Sequence, residues 1–402
     1  MWVYIVACYL AARNHVLMEQ TLLSHGFYRR SAQRIAWGPH ALDRLAPELA
    51  RLGSQRPLLV CGASVRAHPT LLRRVRDALG GSQPAIFDGV RSHTPAASVE
   101  QARAQMLTCG ADALIAVGGG SALVTARAAS MLFAEGGTLE DLATRRAGDR
   151  VISPRLSHPK LPIVAIPTTP TTAIVKAGAA VTSPDRIARL ALFDPKTRAR
   201  SILLDPEFLA SSPAGLVRNA SLNALVMAIE GLATQRSHIF SDAVLIHAGR
   251  QLVRVLPELT DPRHSPDIVV EAALASILVG DGTDTTGGGL TAALSHTIGH
   301  RYSAHNGEID AILLPHVMLM TSLTAEAEGN IARALNCTPA QIEARLNDVL
   351  HASGAPTRLR DIGVGFDDIA HVVAEAPTDF AYPRGADQPD PAELRDLLGR
   401  AW

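Results

Sequence analysis

Between about residues 35 and 200, short apolar runs alternate with longer stretches whose apolar residues recur at helical spacing. Pro57–Val60 (PLLV), Ala85–Val90 (AIFDGV), Ala113–Val117 (ALIAV) and Pro162–Ile166 (PIVAI) are bounded by Gly, Pro or polar residues and read as strands. Between them, Ser98–Thr108 (SVEQARAQMLT) reads as a helix. Strands alternating with helices predict an α/β domain: a parallel sheet with helices on both faces and a ligand site where loops leave the carboxyl ends of the strands. From about residue 205 strand signals fade. Ala214–Ala233, Ala243–Val255, Ile268–Val279, Leu290–Thr297 and Ile312–Ala325 predict an all-α second domain. The boundary falls near Asp205-Pro206, because proline disfavours a helical residue just before it. The expected organisation is a leader over residues 1–25, an α/β domain over 26–204 and a helical domain over 205–402.

Composition narrows the class. The chain has 402 residues, 47% hydrophobic and 4% aromatic, with 38 basic and 38 acidic side chains. That length holds two real cores. The zero net charge and the absence of basic runs argue against nucleic acid as the main partner. Cys8, Cys61, Cys109 and Cys337 are dispersed, with no C-x-x-C pair, so neither a disulfide framework nor a zinc cluster is expected and a cytoplasmic setting fits. Met1–Ala12 (MWVYIVACYLAA) is almost wholly apolar, yet it lacks a basic flank and is too short to span a bilayer. Residues 1–17 are read as a mis-assigned start or a disordered leader, with a peripheral membrane anchor as the competing reading.

The sharpest local motif is a β-type run entering Gly118-Gly119-Gly120-Ser121, followed by the Ala-rich stretch Ala122–Ser130 (ALVTARAAS). Such a strand–loop–helix unit lets backbone approach a phosphate closely, and the helix N-terminus supplies free N–H groups. Ser121 can cap the helix or donate to a phosphate oxygen. The bland alternative is a tight turn without ligand; the position directly after a strand favours phosphate.

With this loop, three further stretches carry a family resemblance: Ile166-Pro167-Thr168-Thr169, Leu204-Asp205-Pro206-Glu207-Phe208-Leu209, and Gly287–Met318 (GGGLTAALSHTIGHRYSAHNGEIDAILLPHVM). Together they resemble the iron-containing alcohol dehydrogenase superfamily, with its dehydroquinate-synthase-like fold. The tail stretches Pro356–Gly363 and Leu394–Trp402 look like the maleylacetate reductase branch. The resemblance implies a dinucleotide-binding α/β domain, a helical metal-site domain and a homodimer. It also implies four metal-ligand positions, which here hold Asn223, Met227, Ala292 and Asn306. An amide and a thioether bind hard or borderline divalent ions weakly and alanine binds none, so no catalytic metal is expected. Asn223, Met227 and Asn306 are then expected to line the substrate pocket. Asn223 agrees with the maleylacetate reductase branch; the other three depart from it.

By the same resemblance His296 holds a position near the nicotinamide. His300 follows one helical turn later and His305 completes a trio. Histidine titrates near neutrality and can protonate the atom that gains electron density as hydride arrives; the alternative is a set of capping or core histidines. For the cofactor, Gly62, Ser64 and Arg66 after the first strand resemble the pattern of NADP-dependent members, so NADPH is expected before NADH. Gly118, Gly119, Gly120, Ser121, Thr168 and Thr169 are expected to hold the dinucleotide. Two departures stand out. Val124 and Arg127 replace an Asp and a Lys, and Pro170–Lys176 (PTTAIVK) replaces a Gly-rich acidic turn and stiffens it. The function expected is a metal-independent reduction of an activated small-molecule carbonyl, enone or imine. A redox-neutral cyclase, dehydratase or isomerase using histidine acid–base chemistry is the alternative, and a nucleotide-binding protein without turnover is the third.

Overall fold

Six parallel strands form the centre of the first half: β1 (Arg34–Trp37), β2 (Pro57–Gly62), β3 (Ala85–Val90), β4 (Ala113–Gly118), β5 (Ile163–Pro167) and β8 (Ser201–Leu204). Their order across the sheet is β1-β8-β5-β4-β2-β3. An antiparallel hairpin, β6 (Gly178–Val181) and β7 (Leu190–Phe193), lies between β5 and β8 in the chain. This computed structural model describes residues 32–402 apart from 148–149, 184–188, 262, 303 and 384–387, and the side chains of residues 146, 147, 150, 151 and 300 are also outside it. The expected leader therefore lies outside the described residues.

The strands form because their residues are apolar on both faces. Every residue of β4, β5 and β8 is buried, the pattern required when helices cover both sides of a parallel sheet. One face packs on α1 (Ala96–Cys109), α2 (Gly120–Glu135) and residues 269–277 of a long later helix; the other packs on residues 42–49, 71–75 and Phe208. The four expected strands are present with ends shifted by a residue or two. The pattern missed β1, β8 and the hairpin, which are only four residues each.

The second half is helical: α3 (Ala214–Ala233), α4 (Ile239–Val255), α5 (Pro266–Thr286), α6 (Leu290–Tyr302), α7 (Asn306–Met320), α8 (Ala325–Leu335), α9 (Ile342–Ala352) and α10 (Pro391–Ala401). Two cores hold it together. One gathers α3, α4, α8 and α9; the other gathers α6, α7 and α10. The expected helix Ile312–Ala325 is corrected: α7 ends at Met320 and Thr324 caps the separate α8 by accepting from Ala327 N–H, because a capping threonine favours a helix start. Asp205 marks the passage between halves. It caps the turn Pro206–Ala210 through the Glu207 and Phe208 amides and binds Arg74 with both oxygens. Among the described residues no helix is long and apolar enough to cross a membrane.

Candidate functional site

The chain passes from β2 to β3 on one side, then returns to β4 on the other side of β2. This reversal opens a crevice at the carboxyl ends of β2 and β4, where doubly wound sheets bind ligands. Cys61 pairs with Val117 and Gly118 pairs with Pro167, so Gly62, Gly118 and Thr168 stand at successive strand ends. Gly118 has φ +145°, which only glycine adopts readily. Gly119 is the N-cap of α2, and among the described residues no side chain caps that helix. Its first N–H groups and positive dipole end are therefore available to an anion. A side chain on Gly119 would meet Thr169 Oγ1 at 3.1 Å, and Thr168 N–H donates to Gly118 O at 3.1 Å. The loop and the Pro-Thr-Thr turn thus form one narrow cradle. Gly120 and Ser121 open α2 beside it.

Gly62 caps the short helix Ala63–Ala67, which carries Ser64 and Arg66, both exposed. Arg66 Nε stands 3.7 Å from Asp88 Oδ2 on β3. Sequence reasoning overlooked Asp88, although an acid on the second strand of a dinucleotide fold is the usual partner of the adenosine ribose. A 2′-phosphate here would share Arg66 with a carboxylate.

The Pro-Thr-Thr turn is held from every side. Arg127, 2% exposed on α2, donates to the carbonyls of Gly178 (2.9 Å) and Ala173. Burial, with Arg198 nearby, pushes its guanidinium down to about 9. Arg198 donates to Val175 O at 2.6 Å, Ser276 to Pro170 O at 2.7 Å, and Lys176 to Thr283 Oγ1 at 2.8 Å. Asp284 on α5 pairs with both Arg198 and Lys176. The replacements at positions 127 and 173–176 therefore build a turn fixed through its carbonyls rather than one bent by glycine.

Across from the sheet, α6 presents Ala292 and His296 one turn apart. Gly288, at the entry to α6, lies against both Ala292 and Ala381: a Cβ built on it would meet their Cβ atoms at 3.4 and 3.3 Å. His296 Nδ1 meets Asp379 at 3.1 and 3.2 Å, and the Phe380 ring lies 5.3 Å from the imidazole, centroid to centroid. A carboxylate only accepts, so Nδ1 carries hydrogen and Nε2 is the nitrogen left to meet a ligand. Neither Asp379 nor Phe380 was legible: both sit in the short tail segment Thr378–Tyr382, which has no periodic pattern. His305 is exposed at the N-cap of α7 and makes no side-chain capping bond. The His300 side chain lies outside the described residues.

Asn223, Asn306 and a third group, Asp310, meet where α3, α6 and α7 cross. Asn223 Nδ2 donates to Asp310 Oδ2 at 2.6 Å, and Ser295 Oγ donates to Asn306 O at 3.3 Å. Met227, one turn after Asn223, accepts from Thr172 Oγ1 through sulfur at 3.5 Å. Among the described residues no three His, Cys, Asp or Glu side chains gather as a metal would require, and an amide engaged with a carboxylate together with a thioether makes a poor set for iron or zinc.

Burial, with the Glu230 charge adding to it, raises the Asp310 carboxyl to about 8, against the opposing hydrogen bond of Asn223. An unfolded aspartate ionises near pH 3.9, so between about pH 4 and 8 the folded chain holds a proton the unfolded chain has lost. Stability therefore falls as pH rises through that window. Asp310→Asn removes this contribution. Urea midpoints measured from pH 5 to 9 should decline for the native chain and stay flatter for the variant; parallel curves would show that Asp310 ionises normally.

Comparison with known proteins accords with this arrangement. The sequence model of the family described as "Iron-containing alcohol dehydrogenase" matches residues 32–206, and that described as "Fe-containing alcohol dehydrogenase family, C-terminal" matches residues 218–402. The 4-hydroxybutyrate dehydrogenase of Cupriavidus necator is 28% identical over 89% of this chain and 95% of its own. Maleylacetate reductase 2 of Cupriavidus pinatubonensis is 27% identical over 90% and 93%. A solved 1,3-propanediol oxidoreductase superposes with a TM-score of 0.81 at 22% identity, covering 94% of this chain and 100% of that one. Maleylacetate reductases are thus among the relatives, and at these identities that branch does not stand apart from the dehydrogenases.

Proposed function

The chain belongs to the iron-containing alcohol dehydrogenase family, an oxidoreductase family, and from that premise we propose that it is an NADPH-dependent, metal-independent reductase of an activated carbonyl compound. The His296–Asp379 pair carries this reading, since it offers a proton donor on the side of the molecule that faces the dinucleotide crevice in the family.

A bound nicotinamide cofactor supplies hydride. Gly118, Gly119, Gly120 and Ser121 would hold its phosphates through backbone N–H groups and the α2 dipole; Gly62, Ser64 and Arg66 would take the adenosine end, and Thr168 and Thr169 would close the cradle. Asp379 fixes the imidazole by its Nδ1–H bond. As the imidazolium, with both ring nitrogens protonated, His296 would give its Nε2 proton to the carbonyl oxygen that gains the electron pair, leaving the Nδ1–H form held by Asp379, and solvent would restore the proton. Without a Lewis acid, hydrogen bonds and conjugation in the substrate must polarise the carbonyl. The donor set at Asn223, Met227, Ala292 and Asn306 favours that route over one through a metal ion. A homodimer and a cytoplasmic setting follow the family.

A fluorescence titration of metal-analysed protein with NADPH and NADH tests the reading. We expect tighter binding of NADPH and turnover without bound iron or zinc. Arg66→Ala should reduce NADPH affinity by about 10-fold and leave NADH nearly unchanged, whereas Asp88→Asn should favour NADPH further. Failure of both cofactors to bind would instead turn the search to redox-neutral chemistry in the same crevice.

A further inference from the structure

Phe380 lies beside the proton donor rather than within a core. It is 47% exposed, although a phenyl ring gains most from burial. The short tail segment Thr378–Tyr382 carries it to α6. Asp379 meets His296 Nδ1 at 3.1 Å and accepts from Ala381 N–H at 2.8 Å, which folds the segment into a tight turn. Tyr382, 4% exposed, anchors the far end of that turn in the core of α6, α7 and α10. The turn sets the Phe380 ring against the imidazole, centroids 5.3 Å apart and planes inclined by 31°. The contact that orients the acid therefore also places the phenyl ring.

The inclination decides what that ring can receive. Stacked aromatic faces touch at about 3.5 Å, so a centroid distance of 5.3 Å means a lateral offset, and the imidazole overlies only part of the phenyl face. A flat group stacked on the rest of the same face lies close to the imidazole plane. In that plane the ring N–H bonds point, and in its own plane a carbonyl oxygen accepts. A puckered group of equal size cannot lie flat there. On the neighbouring side Gly288 touches Ala292 and Ala381. Gly288 is exposed and the two alanines are half-buried, so that border is no bulkier than a methyl group.

We propose that Phe380 sets specificity by stacking a planar, conjugated substrate, so that the reductase reading above narrows to aryl and similarly flat carbonyl compounds. This inference rests on the proposed function for the reaction, but not for the binding. Hydride from the nicotinamide forms the new C–H bond at the carbonyl carbon, and the π pair passes to oxygen. The His296 imidazolium supplies the proton there, giving an alcohol and oxidised cofactor. Stacking of the ring that does not react provides binding energy that orients the carbonyl. Such remote orientation matters more where no metal ion grips the oxygen.

The probes are benzaldehyde, the puckered cyclohexanecarbaldehyde, and the unreactive amides benzamide and cyclohexanecarboxamide. Phe380→Leu keeps apolar bulk against the imidazole and removes the flat face. For that variant we expect kcat/KM for benzaldehyde to fall about 10-fold, chiefly through KM, and that for cyclohexanecarbaldehyde to change less than about threefold. NADPH affinity and melting midpoint should be preserved, and Phe380→Tyr should keep the native preference. Benzamide, titrated by thermal shift against the NADPH complex, should stabilise the native chain more than cyclohexanecarboxamide does, and lose that advantage in the Leu variant. Equal losses for the two aldehydes overturn the proposal, since Phe380 then only supports His296. So does lost NADPH affinity that Phe380→Tyr restores, which would set the ring on the nicotinamide. If neither aldehyde is reduced but benzamide binds in a Phe380-dependent way, the stacking site stands and the reductase reading falls. Absence of any benzamide preference removes the stacking site, and the reductase reading then survives only if the aldehydes are turned over.

Discussion

Replacing Gly119 with aspartate should abolish dinucleotide binding while the fold persists. Gly119 occupies the N-cap of α2 with φ −79°, a conformation open to any residue. Aspartate is among the best N-cap residues, because its carboxylate accepts the free N–H groups of the first turn. Those same groups are the ones offered to a phosphate. The new side chain would therefore stabilise the helix, fill the cradle against Thr169 Oγ1, and set a negative charge where the ligand's must lie. Affinity for NADPH and NADH should fall at least about 100-fold, with the melting midpoint equal or slightly raised. Opposite movement of binding and stability is the signature sought. Unchanged affinity would move the dinucleotide away from this loop.

Much of that cradle could be read in the sequence because its determinants are local. An apolar run, three glycines and an Ala-rich stretch are contiguous, and the strand–loop–helix geometry follows from the chain's own preferences. The helical half was legible in outline for the same reason, since α3 and α4 are long and periodic. What escaped detection is non-local. Asp379 and His296 are 83 residues apart, and nothing in Thr378–Tyr382 signals that this tail turns back onto α6. Arg189, just before β7, donates to His93 96 residues earlier in the chain, and the neighbouring hairpin strands are four residues each, too short for a period to register. Asp310 looked like an ordinary polar residue of α7, yet it is 1% exposed beneath Asn223. Substitution at Asn223 was legible; the carboxylate that its amide faces was not.

His296 supplies the second large effect. His296→Ala should lower kcat by roughly 100- to 10,000-fold, the usual worth of a positioned proton donor, with cofactor affinity intact because the side chain lies on α6 rather than on the phosphate loop. Asp379→Asn discriminates between a catalytic pair and a structural contact. An amide oxygen still accepts the Nδ1–H bond, so ring orientation survives, but the negative charge beside the ring is gone. A purely structural contact would then leave turnover unchanged. If the carboxylate serves proton transfer, kcat should fall about 10-fold or more with KM nearly constant, and the solvent deuterium isotope effect should rise as proton transfer becomes rate-limiting. Phe380 against the ring sharpens the test, since its contact holds the imidazole in place in both variants. Full activity in His296→Ala would assign the proton to another group and leave the Asp379 contact as a tie between the tail and α6.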